Sequence, residues 1–281
     1  MTQHAASIVW VCARLELVLS ARSRWIQIFA AVFAVLALLV AGSGYVLSGG
    51  AGVQDFSRTA AALLQLVLLI VPLTSVLFSV MALTPDSGAA EMLFSQPVER
   101  HKVLVGKLVG LWLALAASEG VGFGMAGLVL FARTGSDGIG GFLGVLGGAL
   151  VLTAVFLCLG AALVAGRTSE DRARGLATAL VVWFVSVLLF DVAALGVASL
   201  LQSGSASRLL MAAAIVNPVD AVRTGVLMAL EGTTAFGAAS LAFLRFTGGT
   251  SSAFVWLGAS IVVWIVIPFA AAVIRLRRAE I

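Results

Sequence analysis

The sequence predicts an all-α membrane protein with six transmembrane helices. Of its 281 residues, 61% are hydrophobic and 11% are charged, against about 45–50% and about 25% in soluble domains. The mean hydropathy is +1.13. Six apolar stretches are each long enough to cross a hydrocarbon core of about 30 Å. We therefore expect a single transmembrane domain over residues 1–281, with an interfacial helix before the first span and short helices between the fifth and sixth spans.

The first helix is expected to lie on the membrane. Residues 6–21 are apolar except where Arg14 and Glu16 interrupt them, and the stretch is too short and too charged to span. Trp10 suits the lipid boundary. The predicted spans that follow cover about 26–48, 60–83, 108–131, 140–165, 176–200 and 252–274.

The positive charges predict the orientation. With the N-terminus placed in the cytoplasm, twelve of the seventeen lysines and arginines fall on the cytoplasmic side and five outside. Both termini are therefore expected in the cytoplasm.

The longest cytoplasmic loop is 84–107. Thr84 can cap a short helix that Pro85 begins, and Pro97 would end that helix. A second helix is expected to open near Glu99 and to run into the third span. A short helix that carries apolar residues among charges can dock in a groove on a cytoplasmic partner. The candidate coupling residues are Glu91, Met92, Leu93, Phe94, Pro97, Arg100 and Lys107.

The second cytoplasmic loop alternates in charge. It is either a solvated turn or a smaller contact with the same partner. Its charged residues are Arg167, Glu170, Asp171, Arg172 and Arg174.

The outer region 201–251 is too long for a simple turn. Asn217 is a plausible N-cap with Pro218 in the first helical position, and Gly232 can end the helix after Glu231. We expect its short helices to re-enter the membrane or to lie on the outer leaflet.

Small residues in the fourth span favour close helix packing. Gly140, Gly144 and Gly148 repeat at a spacing of four. Packing within the monomer is favoured over a dimer face.

Two carboxylates fall inside predicted spans. Glu119 lies in the third span and Asp191 in the fifth, and no Lys, Arg or His lies within any span to pair with them. An unpaired charge at that depth costs on the order of 3 kcal/mol or more. They either line a translocation path or act as neutral acids that join helices. The sequence carries no metal-ligand, phosphate-loop or serine-hydrolase motif, so a catalytic role and a bound cofactor are not expected.

The order of these features resembles the ABC-2 type transporter permeases. The N-terminal pattern is Ala13, Arg14, Glu16, Leu17 followed by Arg22, Arg24 and Trp25, and the first loop carries Pro97, Val98, Arg100, Gly106 and Lys107. Within that superfamily, residues 166–196, 217–223 and the N-terminal patch resemble the NosY group, the permeases that serve nitrous oxide reductase maturation.

The resemblance implies a type V exporter-like fold in a bacterial cell (inner) membrane. It implies a NosF-like cytoplasmic ATPase that binds ATP and Mg, a homodimer of permeases surrounded by membrane lipid, and no nucleic acid. It also implies a NosD-like β-helical protein on the outer face, and a role in assembling the copper sites of nitrous oxide reductase. The residues of this chain that would meet the β-helical protein are Asn217, Pro218, Asp220 and Arg223. The alternatives are an ABC-2 exporter of a lipid, drug or peptide, and a proton-coupled carrier or membrane-embedded enzyme that uses Glu119 and Asp191.

Overall fold

The computed structural model describes residues 2–48, 52–84, 99–134, 139–167, 171–231 and 238–278. These residues form helices joined by short connections. The helices are α1 Thr2–Arg22, α2 Arg24–Ser48, α3 Gly52–Leu83, α4 Arg100–Thr134, α5 Ile139–Val164, α6 Arg172–Phe184, α7 Phe190–Ser199, α8 Ser203–Val216, α9 Pro218–Glu231, α10 Ala238–Thr247 and α11 Thr250–Arg278. A π-helical turn, Val185–Leu189, joins α6 to α7.

The predicted all-α membrane class is confirmed. Six helical segments within the described residues are long and apolar enough to cross a membrane: α2, α3, α4, α5, the α6–α7 segment and α11. Their positions agree with the six predicted spans. The helix that was expected to open near Glu99 begins at Arg100 as α4, and Lys107 lies within it.

An aromatic cluster joins three spans in the core. The ring centroid of Phe33 lies 5.7 Å from that of Phe123, which lies 5.3 Å from that of Phe142. Phe33 and Phe123 are fully buried. A side chain at Gly122 would collide with Phe33, so the glycine permits this contact. The cluster fixes α2, α4 and α5 against one another.

The first helix packs along the start of α4. A side chain at Gly106 would collide with Cys12 and Val9, and one at Gly110 would collide with Ala13. These two glycines, four residues apart, let the backbone of α1 approach closely. The opposite side of α1 exposes apolar residues such as Val11 and Leu15, as expected of an interfacial helix.

The glycine repeat of the fourth span behaves differently from the prediction. Space around Gly140 and Gly144 is open, and only Gly148 touches another helix, through Val222 and Val226 of α9. The expectation of tight packing within the monomer is therefore wrong for the first two glycines.

Helices α8 and α9 form a pair bent by 97°. Asn217 lies at the bend, and its Oδ1 accepts a hydrogen bond from the Val219 N–H at 3.1 Å, as predicted for an N-cap. The indole N–H of Trp264 in α11 donates to the Val216 carbonyl at 2.7 Å. The carbonyls of the last helical turn have no intrahelical hydrogen-bond partner, and this bond satisfies one of them. It also holds the bend against α11.

Candidate functional site

The loop-bearing ends of several helices meet on one side of the bundle, which we call the terminal face. It consists of the C-terminal ends of α3, α5 and α11, the N-terminal ends of α4 and α6, and α1. Both predicted loops open here. Five predicted coupling residues lie outside the described residues: Glu91, Met92, Leu93, Phe94 and Pro97. What the structure shows is how the chain is held on both sides of the 85–98 segment.

Arg172 holds the residue before that segment. Its Nε donates to the Thr84 hydroxyl at 3.2 Å, and its Nη2 donates to the Thr84 carbonyl. Thr84 is fully buried, and its own hydroxyl hydrogen goes to the Val80 carbonyl at 2.7 Å. The N-cap role predicted for Thr84 concerns a helix outside the described residues. The second predicted loop therefore anchors the start of the first.

Lys107 connects three helices of the terminal face. Its Nζ donates to the Ala82 carbonyl in the last turn of α3 at 3.0 Å and lies 3.9 Å from Glu16 Oε2 in α1. Glu16 is 8% exposed. Burial raises the pKa of Glu16 above its usual value, and the Lys107 charge and a bond from Ser20 oppose that rise.

Two further arginines bind helix ends. Arg100, at the start of α4, donates from Nη1 to the Leu276 carbonyl near the end of α11 at 3.2 Å. Arg275 in α11 donates to the Ala162 carbonyl near the end of α5.

These four contacts, each between a basic side chain and a carbonyl at the end of a helix, have the same physical cause. The last turn of a helix leaves carbonyls without intrahelical partners and carries partial negative charge, so cations are stabilising there. Lys107, Arg172, Arg275 and Arg100 each supply a cation to the last turns of α3, α5 or α11. The basic residues that predicted orientation therefore also tie the spans into one frame, which we call the terminal frame.

The rest of the second loop is solvated. Arg167 is exposed, and Arg174 meets Asp171 at 3.4 Å with 85% of the arginine side chain exposed. Such a pair contributes little. Glu170 lies outside the described residues. Arg172 is the member of this loop that the structure brings to the frame.

Glu99 gathers charges just before α4. It accepts from Lys102 at 2.6 Å and lies 3.3 Å from His101. The hydrogen bond from Lys102 lowers the pKa of the exposed Glu99 carboxyl. Glu99, His101 and Lys102 lie where the chain passes from the 85–98 segment into the third span.

Glu119 is buried in the middle of α4 and faces α5. It is 1% exposed, and its Oε1 lies 2.6 Å from the Thr153 hydroxyl. The Thr153 hydroxyl also lies 3.0 Å from the Ala149 carbonyl. Because threonine has one hydroxyl hydrogen, both contacts are hydrogen bonds only if Glu119 is the neutral acid and donates to Thr153. This geometry favours the helix-joining alternative for Glu119.

Asp191 has a cationic partner outside the spans. Arg223 Nη1 in α9 lies 3.0 Å from Asp191 Oδ2 in α7 and 2.9 Å from Asp220 Oδ1. Asn217 Nδ2 donates to Asp220 at 2.9 Å and to the Ser186 carbonyl in the π-helical turn at 2.8 Å. These residues, which we call the outer cluster, tie the bent α8–α9 pair to the fifth span.

The outer cluster corrects two expectations. Asp191 is not left without a cation, because Arg223 reaches it from a short helix that the span-by-span search did not include. Asn217 and Asp220 are 3% and 7% exposed, and Pro218 is also buried. They pack inside the fold and cannot form the exposed outer contact surface that was predicted.

Comparisons with known proteins agree with this architecture. The model of the ABC-2 family transporter proteins matches residues 10–281. A probable ABC transporter permease protein NosY from Pseudomonas aeruginosa PAO1 is 33% identical over 241 residues, which covers 84% of this chain and 87% of that protein. A protein of the same description from Stutzerimonas stutzeri is also 33% identical over 241 residues, which covers 83% of this chain and 86% of that protein. The chain therefore belongs to the ABC-2 family of transporter proteins and is an ABC transporter permease subunit.

Proposed function

We propose that a separate cytoplasmic ATPase, of the NosF type, binds the terminal face and drives this permease. The supporting observation is the anchoring of the 85–98 segment. On one side Arg172 holds Thr84, and on the other Arg100 and Lys107 hold α4 to α11 and α3. A load on the segment is then carried directly into the terminal frame. ATP and Mg bind to the partner, and this chain is a non-catalytic subunit that forms one permease domain.

This proposal places the terminal face, and with it both termini, in the cytoplasm of a bacterial cell with the spans in its inner membrane. The twelve-to-five distribution of lysine and arginine supports that orientation.

We also propose a homodimer. The α6–α7 segment exposes apolar side chains along its length, for example Val181 at 60%, Val192 at 66% and Leu195 at 60%. Part of this surface would face lipid and part a second copy of the chain.

For the pathway, we propose that the complex serves copper-site maturation of nitrous oxide reductase, as the likeness to the NosY proteins suggests. A NosD-like β-helical partner would then bind the outer side. Since Asn217, Pro218 and Asp220 are buried, the contact with this partner would be made by exposed residues of α8 and α10, such as Leu210 and Leu241.

Coexpression tests the ATPase assignment. The permease should copurify with the ATPase encoded by a neighbouring gene and stimulate its ATP hydrolysis. Glu91→Lys and Pro97→Ala should abolish the stimulation while leaving membrane insertion intact, and Arg208→Glu, on the exposed surface of α8, should not change it. Failure of any ATPase to copurify, or full stimulation by both loop variants, refutes the proposal.

The copper content of the reductase tests the pathway separately. Cells that lack the permease should produce reductase with depleted copper. Full copper content would instead indicate an exporter of a lipid, drug or peptide, or a carrier.

A further inference from the structure

A groove of about 470 Å³ runs between α1 and the start of α4. This volume lies within the range of about 300–1,000 Å³ that is usual for small-molecule sites. We call it the α1–α4 groove. Its walls are mostly apolar and two basic side chains stand at one end. Its principal lining residues are Val9, Trp10, Val105 and Val109, with His101 and Lys102 at the basic end.

The groove opens towards the bilayer. Of its lining residues, Trp10 of α1 is 63% exposed and Val109 of α4 is 39% exposed. Apolar area left in water costs about 25 cal/mol per Å², so this side of α1 is stable only against lipid. A ligand of the groove therefore enters from the membrane and has an apolar part.

The basic end selects a negative headgroup. Lys102 Nζ lies 2.6 Å and His101 Nε2 lies 3.3 Å from the exposed carboxylate of Glu99. An ammonium group carries three donors, so the contact with Glu99 leaves Lys102 able to bind a second anion. Basic pockets between membrane helices on the cytoplasmic side bind anionic lipid headgroups.

We propose that the α1–α4 groove binds an anionic phospholipid of the bilayer. One acyl chain lies along Trp10, Val105 and Val109, and the phosphate contacts Lys102 and His101. The lipid fills the space beside the glycine contact at Gly106 and Gly110 and so holds α1 on α4. This inference requires only that α1 lies on the membrane, and it stands whether or not an ATPase binds the terminal face.

Native mass spectrometry of the purified full-length chain tests the proposal. The protein is titrated with phosphatidylglycerol and with phosphatidylcholine of the same acyl chains. We expect one phosphatidylglycerol to be retained with about a fivefold preference, since a basic residue near a membrane surface contributes about 1 kcal/mol. Lys102→Gln should remove the preference, and Val105→Trp should remove retention of both lipids by filling the groove.

The control is Val121→Trp, which changes an exposed apolar residue elsewhere on α4 and should bind lipid like the wild type. If Val105→Trp does not purify as a monodisperse protein, Val109→Trp replaces it. Equal retention of the two lipids by the wild type overturns the proposal, as does unchanged retention when the groove is filled. Competition by glycerol 3-phosphate, which has no acyl chains, would show a site for free phosphate and would also overturn it.

Discussion

Arg172 binds Thr84 twice, through the hydroxyl at 3.2 Å and through the carbonyl. The two residues are 88 positions apart in the chain, and each borders one of the two loops of the terminal face. This contact makes the end of α3 and the start of α6 one mechanical unit. A displacement of the end of α3 should therefore be passed to the start of α6.

Replacing Arg172 by Ala should destabilise the protein and weaken its response to the ATPase. Hydrogen bonds from charged groups contribute about 1.5–3 kcal/mol, and Thr84 is buried. We expect a loss of about 1–3 kcal/mol in the free energy of unfolding, measured by denaturant titration in detergent. Stimulation of ATP hydrolysis should fall with it.

Arg174→Ala is the matched control. It removes the same charge two residues later, but this side chain is 85% exposed, so the expected loss is below about 0.5 kcal/mol. Equal effects of the two substitutions would show that net charge, and not the Thr84 contact, is responsible.

The close approach of α1 to α4 predicts that Gly110 tolerates no side chain. Gly110→Val would place atoms on the Ala13 carbonyl and the Glu16 side chain, and overpacking of this kind costs about 1–3 kcal/mol. Helix α1 should lift from α4 and expose the half-buried Cys12. Maleimide labelling of Cys12 should therefore become faster.

Gly124→Val provides the comparison, since nothing lies within 4 Å of a Cβ at Gly124 on the same helix. Its Cys12 labelling rate should equal that of the wild type. An unchanged rate in Gly110→Val would contradict the packing described for α1.

The spans followed from the sequence because length and hydropathy alone determine which segments can cross a bilayer. The Asn217 cap was also predictable, since Asn before Pro at a helix start is a local signal. Which glycines pack closely was not. Gly106 and Gly110 have the same spacing as Gly140 and Gly144, and only the three-dimensional arrangement decides that the first pair meets a helix.

The partners of the charged residues were missed for a similar reason. Asp191 and Arg223 are 32 positions apart, and Arg223 belongs to a short helix that was expected at the outer surface. Lys107 lies in the helix that was expected to open near Glu99, but its contacts with Ala82 and Glu16 were not predicted. In each case the contact depends on how helices are brought together, which residue spacing does not encode. The sequence offered one indication that Arg223 takes part in an ion pair, namely the acidic Asp220 three residues before it on the same helix.

The outer cluster predicts an energetic coupling between Asp191 and Arg223. Breaking a fully buried pair costs about 3–5 kcal/mol, but these side chains are 33% and 28% exposed, so solvent screening reduces the expected coupling to about 1–2 kcal/mol. A double-mutant cycle with Asp191→Asn and Arg223→Gln measures it from the free energies of unfolding. A cycle that pairs Asp191→Asn with Arg208→Gln should give no coupling. Additive effects in the first cycle would show that the ion pair does not hold α9 to α7.

The contact between Glu119 and Thr153 predicts that Glu119→Gln is tolerated. The amide N–H of Gln can donate to Thr153 as the neutral acid does, so stability and the copper maturation proposed above should stay close to the wild type. Glu119→Ala should cost about 2–4 kcal/mol through the lost bond and the cavity. Loss of maturation in a stable Glu119→Gln protein would instead support a translocation role that needs the ionisable group.

The raised pKa of Glu16 predicts a pH dependence of stability. Because burial favours the neutral carboxyl in the folded state, the folded protein binds more protons than the unfolded one between the ordinary pKa and the raised one. Stability therefore falls as the pH rises through that window. Glu16→Gln cannot titrate, so the melting temperature of the variant minus that of the wild type should increase from pH 5 to pH 7.5. Glu99→Gln should show a flat difference over the same range, because the pKa of Glu99 is lowered and its window lies below the ordinary carboxyl value. A flat difference for Glu16→Gln as well would mean that burial against α4 does not penalise the Glu16 charge.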